Sequence, residues 1–361
     1  MTDDYFSTGD DVVASALAGF ARAHGASVRV SPDPAFVAAA DPDPGRRVAI
    51  VSGGGSGHEP LHTGFVGRGG LDAAVPGQVF ASPHNRQVHA AARAVARPGG
   101  VLLVVKNYTG DVINFGIAAE RLRAEGTAVE TVLVDDDLAT EVEGSATGRR
   151  GTGATVLVEK VLAAAADAGA TLEQLADLGR RVVAASRSLA VASRAHTSPG
   201  GGGPAFQLPA GQLEYGVGIH GERAVSTVER PGTEELVDRL LGQLLEHVPA
   251  TPAGYAVLVN GLGSVTQLEL YSVLDGIARR LEQRGLELAV ALAGTYVAAL
   301  DMRGFSVTLT ALEPGWVELL RAPTATPALP SAEPVAPAAL RTAVAAGLVQ
   351  AGQHRVRPRD G

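Results

Sequence analysis

Two α/β domains, with mainly parallel or mixed sheets flanked by helices, are what this sequence predicts. Three observations carry that expectation. The 361 residues exceed one average domain and suit two. Apolar residues make up 46% and charged residues 19%, enough to fill cores and too few charges for a disordered chain. Short apolar runs that end in glycine or polar residues alternate with helix-length segments, the pattern of sheets with crossover helices. The expected division is one α/β domain over 1–186, a second over 187–330, and a flexible Ala/Pro-rich tail over 331–361.

Residues 11–24 read as an amphipathic helix with Val12, Val13, Ala16, Leu17 and Phe20 on one face. Arg47–Ser52 is a short apolar run that breaks into Gly53-Gly54-Gly55-Ser56-Gly57-His58, a buried strand ending in a glycine turn. Val101–Val105 repeats the pattern before Lys106–Asp111, and a helix follows from about Val112 to Ala124. Thr131–Val134 is a third strand, ending in Asp135-Asp136-Asp137. Three polar loops thus fall on one edge of one sheet, where such sheets place ligands. Residues 153–186 read as two helical segments joined near Gly169, and Pro199–Pro204 as a glycine loop. In the second unit Leu213–Ile219, Tyr255–Val259, Leu288–Ala293 and Phe305–Leu312 read as strands, and 233–247 and 265–284 as helices. From about Ala322 the chain turns Ala/Pro-rich and ends in a basic stretch, expected to be poorly ordered.

Composition narrows the function. A net charge of −8 gives a nucleic-acid partner no electrostatic support. No apolar run approaches a membrane span, and the acidic start Met1-Thr2-Asp3-Asp4 lacks the basic region of a signal peptide. Without cysteine there is no disulfide framework, thiolate nucleophile or Cys zinc site. A cytoplasmic protein is the expectation.

Five motifs could carry chemistry. Gly53–His58 is neither a dinucleotide fingerprint nor a P-loop: His58 falls where the third glycine belongs, and no Gly-Lys-Ser/Thr closes the run. It reads either as a tight turn or as a cradle in which successive N–H groups meet a ligand's oxygens. His58-Glu59-Pro60-Leu61-His62 has the letters of a zinc-protease helix, but Pro60 opposes the helix that would bring both histidines to one metal. Asp111 is either the N-cap of the following helix or a general base, with Lys106 as an oxygen or phosphate clamp. Asp135–Asp137 fits a divalent ion or a loop that caps a helix. His220, flanked by glycines after a strand, is a surface residue or a nucleophile whose neutral imidazole adds to a ketone carbonyl.

Together these segments resemble the substrate-binding K unit of the dihydroxyacetone kinase family, from about residue 10 to residue 330. The resemblance rests on Ser52–Pro60, Val105–Asp111, Val134–Asp137, Gly216–Glu222 and Leu300–Ser306, in that order along the chain. Two segments depart from the family pattern, Pro83–Gln87 and Ala195–Ser198, and put the choice of ketose in doubt.

The resemblance implies two α/β domains and a homodimer. It implies that His220 forms a hemiaminal with a small ketone such as dihydroxyacetone, that His58 is the acid/base histidine, and that Asp111 is the catalytic aspartate. Gly55, Ser56, Gly57 and Lys106 fall on positions that bind the ketone's oxygens. No metal is expected on this chain. ADP or ATP with Mg is expected on a separate, all-helical L subunit, the ADP recharged by a phosphotransferase-system protein. The chain is then a kinase subunit unable to phosphorylate alone. Two other classes remain: a ketose-binding regulatory protein without kinase activity, and a metallohydrolase built on His58 and His62.

Overall fold

The computed structural model describes residues 5–7, 9, 11–141, 148–199, 203–222 and 226–335. The first sheet contains β1 (Val28–Pro32), β2 (Ala35–Ala39), β3 (Ala49–Ser56), β4 (Ala73–Val79), β5 (Val101–Lys106) and β6 (Val129–Val134), in the order β1-β2-β4-β3-β5-β6. Strands β4, β3, β5 and β6 run parallel, and β1 and β2 form an antiparallel edge. The central strands read as unbroken apolar runs because both of their faces are covered. Ala49, Val51, Val101, Leu103 and Val105 face one apolar cluster, shared with α2 (Asn85–Val95) and α3 (Thr109–Ala124). Ile50, Leu102 and Val104 alternate onto the other face. There they meet α4 (Ala154–Asp167) and α5 (Leu172–Ala184). Every residue from Ala154 to Ala166 is buried. A helix that is apolar all round belongs inside a protein, and α4 touches both β3 and β7 (Ser186–Arg194).

Strand β7 opens the second sheet, with β8 (Gln212–Tyr215), β9 (Ser226–Glu229), β10 (Tyr255–Gly261), β11 (Leu288–Gly294) and β12 (Arg303–Ala311). Their order is β11-β10-β12-β7-β8-β9. Only β10 and β11 are parallel, joined through α7 (Gln267–Gln283); the other neighbours are antiparallel, so this sheet is mixed. A capping box between Thr266 and Glu269 starts α7. Helices α6 (Thr233–His247) and α8 (Trp316–Arg321) complete the unit. One apolar cluster runs through α4 and α5 into both sheets.

The structure departs from the sequence reading in identifiable places. Strand β7 lies where a helix was expected to end. Its Ser/Ala-rich stretch has weak strand propensity, and pairing with β12 from Ser186 to Arg194 makes it a strand. The strand expected over Leu213–Ile219 stops at Tyr215, because Gly216 turns the chain at φ 88°. The Ala/Pro-rich stretch is packed as far as Ala332. Ala325 bridges to Arg68, the Ala328 N–H donates to Gly64 O (2.8 Å), and Leu329 and Ala332 are buried. Gly67 and Gly69, at φ 141° and 73°, make room for it, since a Cβ on either would collide with the carbonyls of Ala325 and Pro323. The remainder of the expected flexible tail, from residue 336, lies outside the described residues, as do Gly200–Gly202 of the glycine loop. Among the described residues no helix is long and apolar enough to cross a membrane.

Candidate functional site

The glycine run belongs to β3 itself rather than to a turn after it: the strand continues through Ser56, and Gly57 turns the chain at φ 102°. The missing side chains make room for protein groups. A Cβ on Gly53 would strike the Val75 carbonyl, on Gly54 the Lys106 ammonium, and on Gly55 the backbone at Phe80 and Ala81. A Cβ on Gly57 would come within 2.9 Å of the Phe80 ring. Ser56 Oγ donates to Gly77 O (2.7 Å), which leaves its lone pairs for a ligand.

Two histidines meet beside this strand. His58 is buried, and its Nδ1 lies 2.8 Å from Ala298 O. A carbonyl only accepts, so Nδ1 carries the proton and Nε2 is turned outward. Ala298 is held by the buried Asn260, whose Oδ1 accepts from the N–H groups of Tyr296 (2.8 Å) and Val297 (2.9 Å) and whose Nδ2 donates to Val297 O (2.8 Å). His220 Nδ1 stands 3.2 Å from Glu222 Oε1, and the His220 backbone N–H donates to Glu222 Oε2 (3.0 Å). Burial opposes ionisation of Glu222, but the hydrogen bonds and charge of His220 hold its carboxyl below the usual range. With both Nδ1 atoms engaged, His58 Nε2 and His220 Nε2 face each other at 3.1 Å. Burial, then His220, then Lys106 push the His58 pKa well below its ordinary value.

Aromatic rings fix this pair. Phe80 stacks on His58 at 5.0 Å and meets His220 edge-on at 5.2 Å, and Tyr108 meets His220 edge-on at 4.5 Å. Phe80 sits at φ 54°, a region costly for an aromatic residue and common at functional sites. His196 packs edge-on against Phe80 at 4.8 Å and against Gly221, so Ala195–Ser198 does border the site. In the other departing segment, His84 and Gln87 form the capping box that starts α2.

Lys106 ends β5, buried under the glycine strand. Its Nζ lies 3.3 Å from Gly53 O, 2.9 Å from His62 Nε2 and 3.6 Å from Asp111 Oδ2. Asp111 is not the N-cap of α3. Tyr108 holds that position, and Asp111 is the third helical residue, buried in the first turn near the positive end of the helix. The letters of the zinc-protease pattern do not form a zinc-protease site. Residues 58–62 are not helical; His58 turns to His220, and His62 turns away to Lys106 and Glu159. Among the described residues no cluster of three or more His, Cys, Asp or Glu side chains could hold a metal. Asp136 is committed to capping α4: it accepts from Thr152 N (2.7 Å), Thr152 Oγ1 (2.9 Å), Ala154 N (2.9 Å) and Ser188 Oγ. Asp137 accepts from Ala139 N (3.0 Å), and Asp135 pairs with Arg149 (3.2 Å).

Such an arrangement defines a class: an α/β protein that gathers a histidine pair and a buried lysine–aspartate pair at the ends of its strands. The chain belongs to the Dak1 family, whose domain model matches residues 18–328. It is 42% identical over 324 residues to the dihydroxyacetone-binding subunit DhaK of a PTS-dependent dihydroxyacetone kinase from Listeria innocua, covering 87% of this chain and 96% of that one. Identity to the DhaK subunit of the PEP-dependent enzyme of Escherichia coli is 39% over 344 residues, covering 88% and 96%. The crystal structure of the C. freundii dihydroxyacetone kinase superposes with a TM-score of 0.86 at 33% identity, covering 93% of this chain and 62% of that one. The chain therefore spans less than two thirds of that solved enzyme. A dihydroxyacetone kinase operon co-activator, DhaQ, superposes with a TM-score of 0.80 at 31% identity, covering 86% and 96%.

Proposed function

We propose that this chain is the dihydroxyacetone-binding subunit of a dihydroxyacetone kinase, capturing the ketone on His220 for phosphorylation by a separate L subunit. The observation that carries the reading is the 3.1 Å contact between the Nε2 atoms of His58 and His220. Both Nδ1 atoms are engaged, so that contact is satisfied by one proton shared between the rings. His220 Nε2 would attack the carbonyl carbon, the carbonyl π pair would move to oxygen, and His58 would deliver the proton to that oxygen. The product is a hemiaminal whose imidazolium Nδ1–H stays hydrogen-bonded to the Glu222 carboxylate.

Glycerol has no carbonyl and forms no such adduct, so bond formation itself selects the ketone. Tethering also orients the terminal hydroxyl. Asp111 would take the hydroxyl proton as phosphorus is attacked, while Lys106, Gly55, Ser56 and Gly57 hold the oxygens. The phosphoryl donor, ADP recharged by a phosphotransferase-system protein or ATP with Mg, belongs to the L partner in this scheme, and this chain alone would not phosphorylate. A homodimer in the cytoplasm, with division into units at residues 186 and 330, completes the proposal.

The likeness to the DhaQ co-activator supports a second reading, a ketose-binding regulator without kinase activity. Sensing needs capture but no base, and the buried Asp111 beside Lys106 favours the kinase subunit. Phosphorylation of dihydroxyacetone by the chain reconstituted with an L subunit and donor tests the choice. Turnover that depends on Asp111 supports the kinase reading, and capture without turnover under every donor supports the regulator.

A further inference from the structure

Beneath the glycine strand lies a buried polar chain that the capture chemistry does not use. Glu159 and His62 are both buried, on α4 and on the segment after β3. His62 Nδ1 is 2.6 Å from Glu159 Oε1 and 3.0 Å from Ser52 Oγ, and Ser52 Oγ donates to Val104 O (2.9 Å). On the other side of the ring, His62 Nε2 is 2.9 Å from Lys106 Nζ. Glu159 Oε2 is buried without a partner. An ammonium only donates, so His62 Nε2 must be bare and its proton must sit on Nδ1. That proton has two acceptors in place, Glu159 Oε1 and Ser52 Oγ, and the carboxyl oxygen is the nearer.

We infer that Glu159 and His62 are positioning residues for Lys106: the carboxylate orients the imidazole, and the imidazole aims the ammonium at the ketone site beside Asp111. The inference rests on the proposed capture of a ketone at that site. It also gives the site a pH response. Burial pushes the Glu159 carboxyl up to about 8, against the Ser52 hydrogen bond and the charge of Lys106. Once protonated, Glu159 O–H would donate to Nδ1, move the imidazole proton to Nε2 and set it against the ammonium. The groups facing this chain are His62 and Ser52 from the β3 side, Lys106 from β5, Asp111 from α3 and, through Lys106, His58.

Isothermal titration of dihydroxyacetone into the full chain from about pH 6.5 to about pH 8.5 tests this, with wild type, Glu159→Gln and His62→Asn compared. Wild-type affinity should rise severalfold across the window as Glu159 ionises, a fully coupled group giving up to about tenfold per unit. Glu159→Gln keeps an acceptor at every pH and should remove that step, while His62→Asn should weaken binding about tenfold throughout. A Glu159→Gln profile with the wild-type step, or His62→Asn binding as tightly as wild type, overturns the inference. Should Glu159→Gln fail to fold, His62→Asn decides it. Folded wild type that binds no dihydroxyacetone at any pH instead defeats the underlying functional reading, and the inference with it.

Discussion

His58 and His220 reach the same point from loops of different sheets, their Nε2 atoms 3.1 Å apart with each Nδ1 already engaged. Under the proposed capture, a carbonyl placed at this contact would meet His220 as the nucleophile and His58 as the proton donor.

Glu222→Gln should leave the fold intact and weaken ketone capture. The amide cannot stabilise the imidazolium as the carboxylate does, and losing a charge-assisted hydrogen bond costs about tenfold to a hundredfold in affinity. Calorimetric titration with dihydroxyacetone measures it; unaltered affinity would remove Glu222 from the account.

Ile113→Asp should separate capture from phosphorylation. Val112, Ile113 and Ile117 are exposed at 41%, 55% and 40%, directly after Asp111 on α3. A partner that brings a phosphoryl group to Asp111 would cover them. Phosphorylation with an L subunit should fall at least about tenfold, the size of a typical interface hot spot, while dihydroxyacetone affinity stays at the wild-type level.

Asp136→Ala should unfold the protein more easily and leave it indifferent to divalent metals. Four donors lose their acceptor at the start of α4. A loss of about 2–5 kcal/mol is expected from chemical denaturation. Metal-dependent stability in the wild type would instead revive the ion-binding alternative.

Stability should peak near pH 6.5. His58 and His62 are held well below the ordinary 6.5 mainly by burial, so below that pH the unfolded chain binds protons that the folded chain does not, and stability falls with acid. Glu159 acts oppositely. Its carboxyl rises from 4.5 to about 8, so the folded chain binds the extra proton and stability falls as pH rises toward about 8. Urea midpoints against pH should show both slopes, and Glu159→Gln should flatten only the alkaline one.

Much of the site was legible in the sequence because its residues sit in short runs at strand ends. Lys106 closes an apolar run, and His58 and His220 follow or sit among glycines whose spacing has a steric cause. Phe80 was not legible, since sheet order, not sequence, carries it to both histidines. Ala298 contributes a backbone carbonyl, which leaves no side-chain signature. Glu159 did leave one: with Lys160 it is a charged pair inside a helix that is otherwise apolar until Asp167, and a buried charge needs a partner. Strands β3, β5 and β6 of one sheet and β8, β10, β11 and β12 of the other followed from short apolar runs; β1, β2, β4 and β9 did not. Strand β7 did not, because its partner β12 lies more than a hundred residues away.

Covalent capture on His220 is the centre of the account, and intact-protein mass spectrometry after incubation with dihydroxyacetone measures it most directly. A reversible one-to-one adduct is expected on the wild type, absent with glycerol and absent from a folded His220→Ala variant. An adduct of the same mass on His220→Ala, or undiminished dihydroxyacetone affinity in that variant, would contradict it.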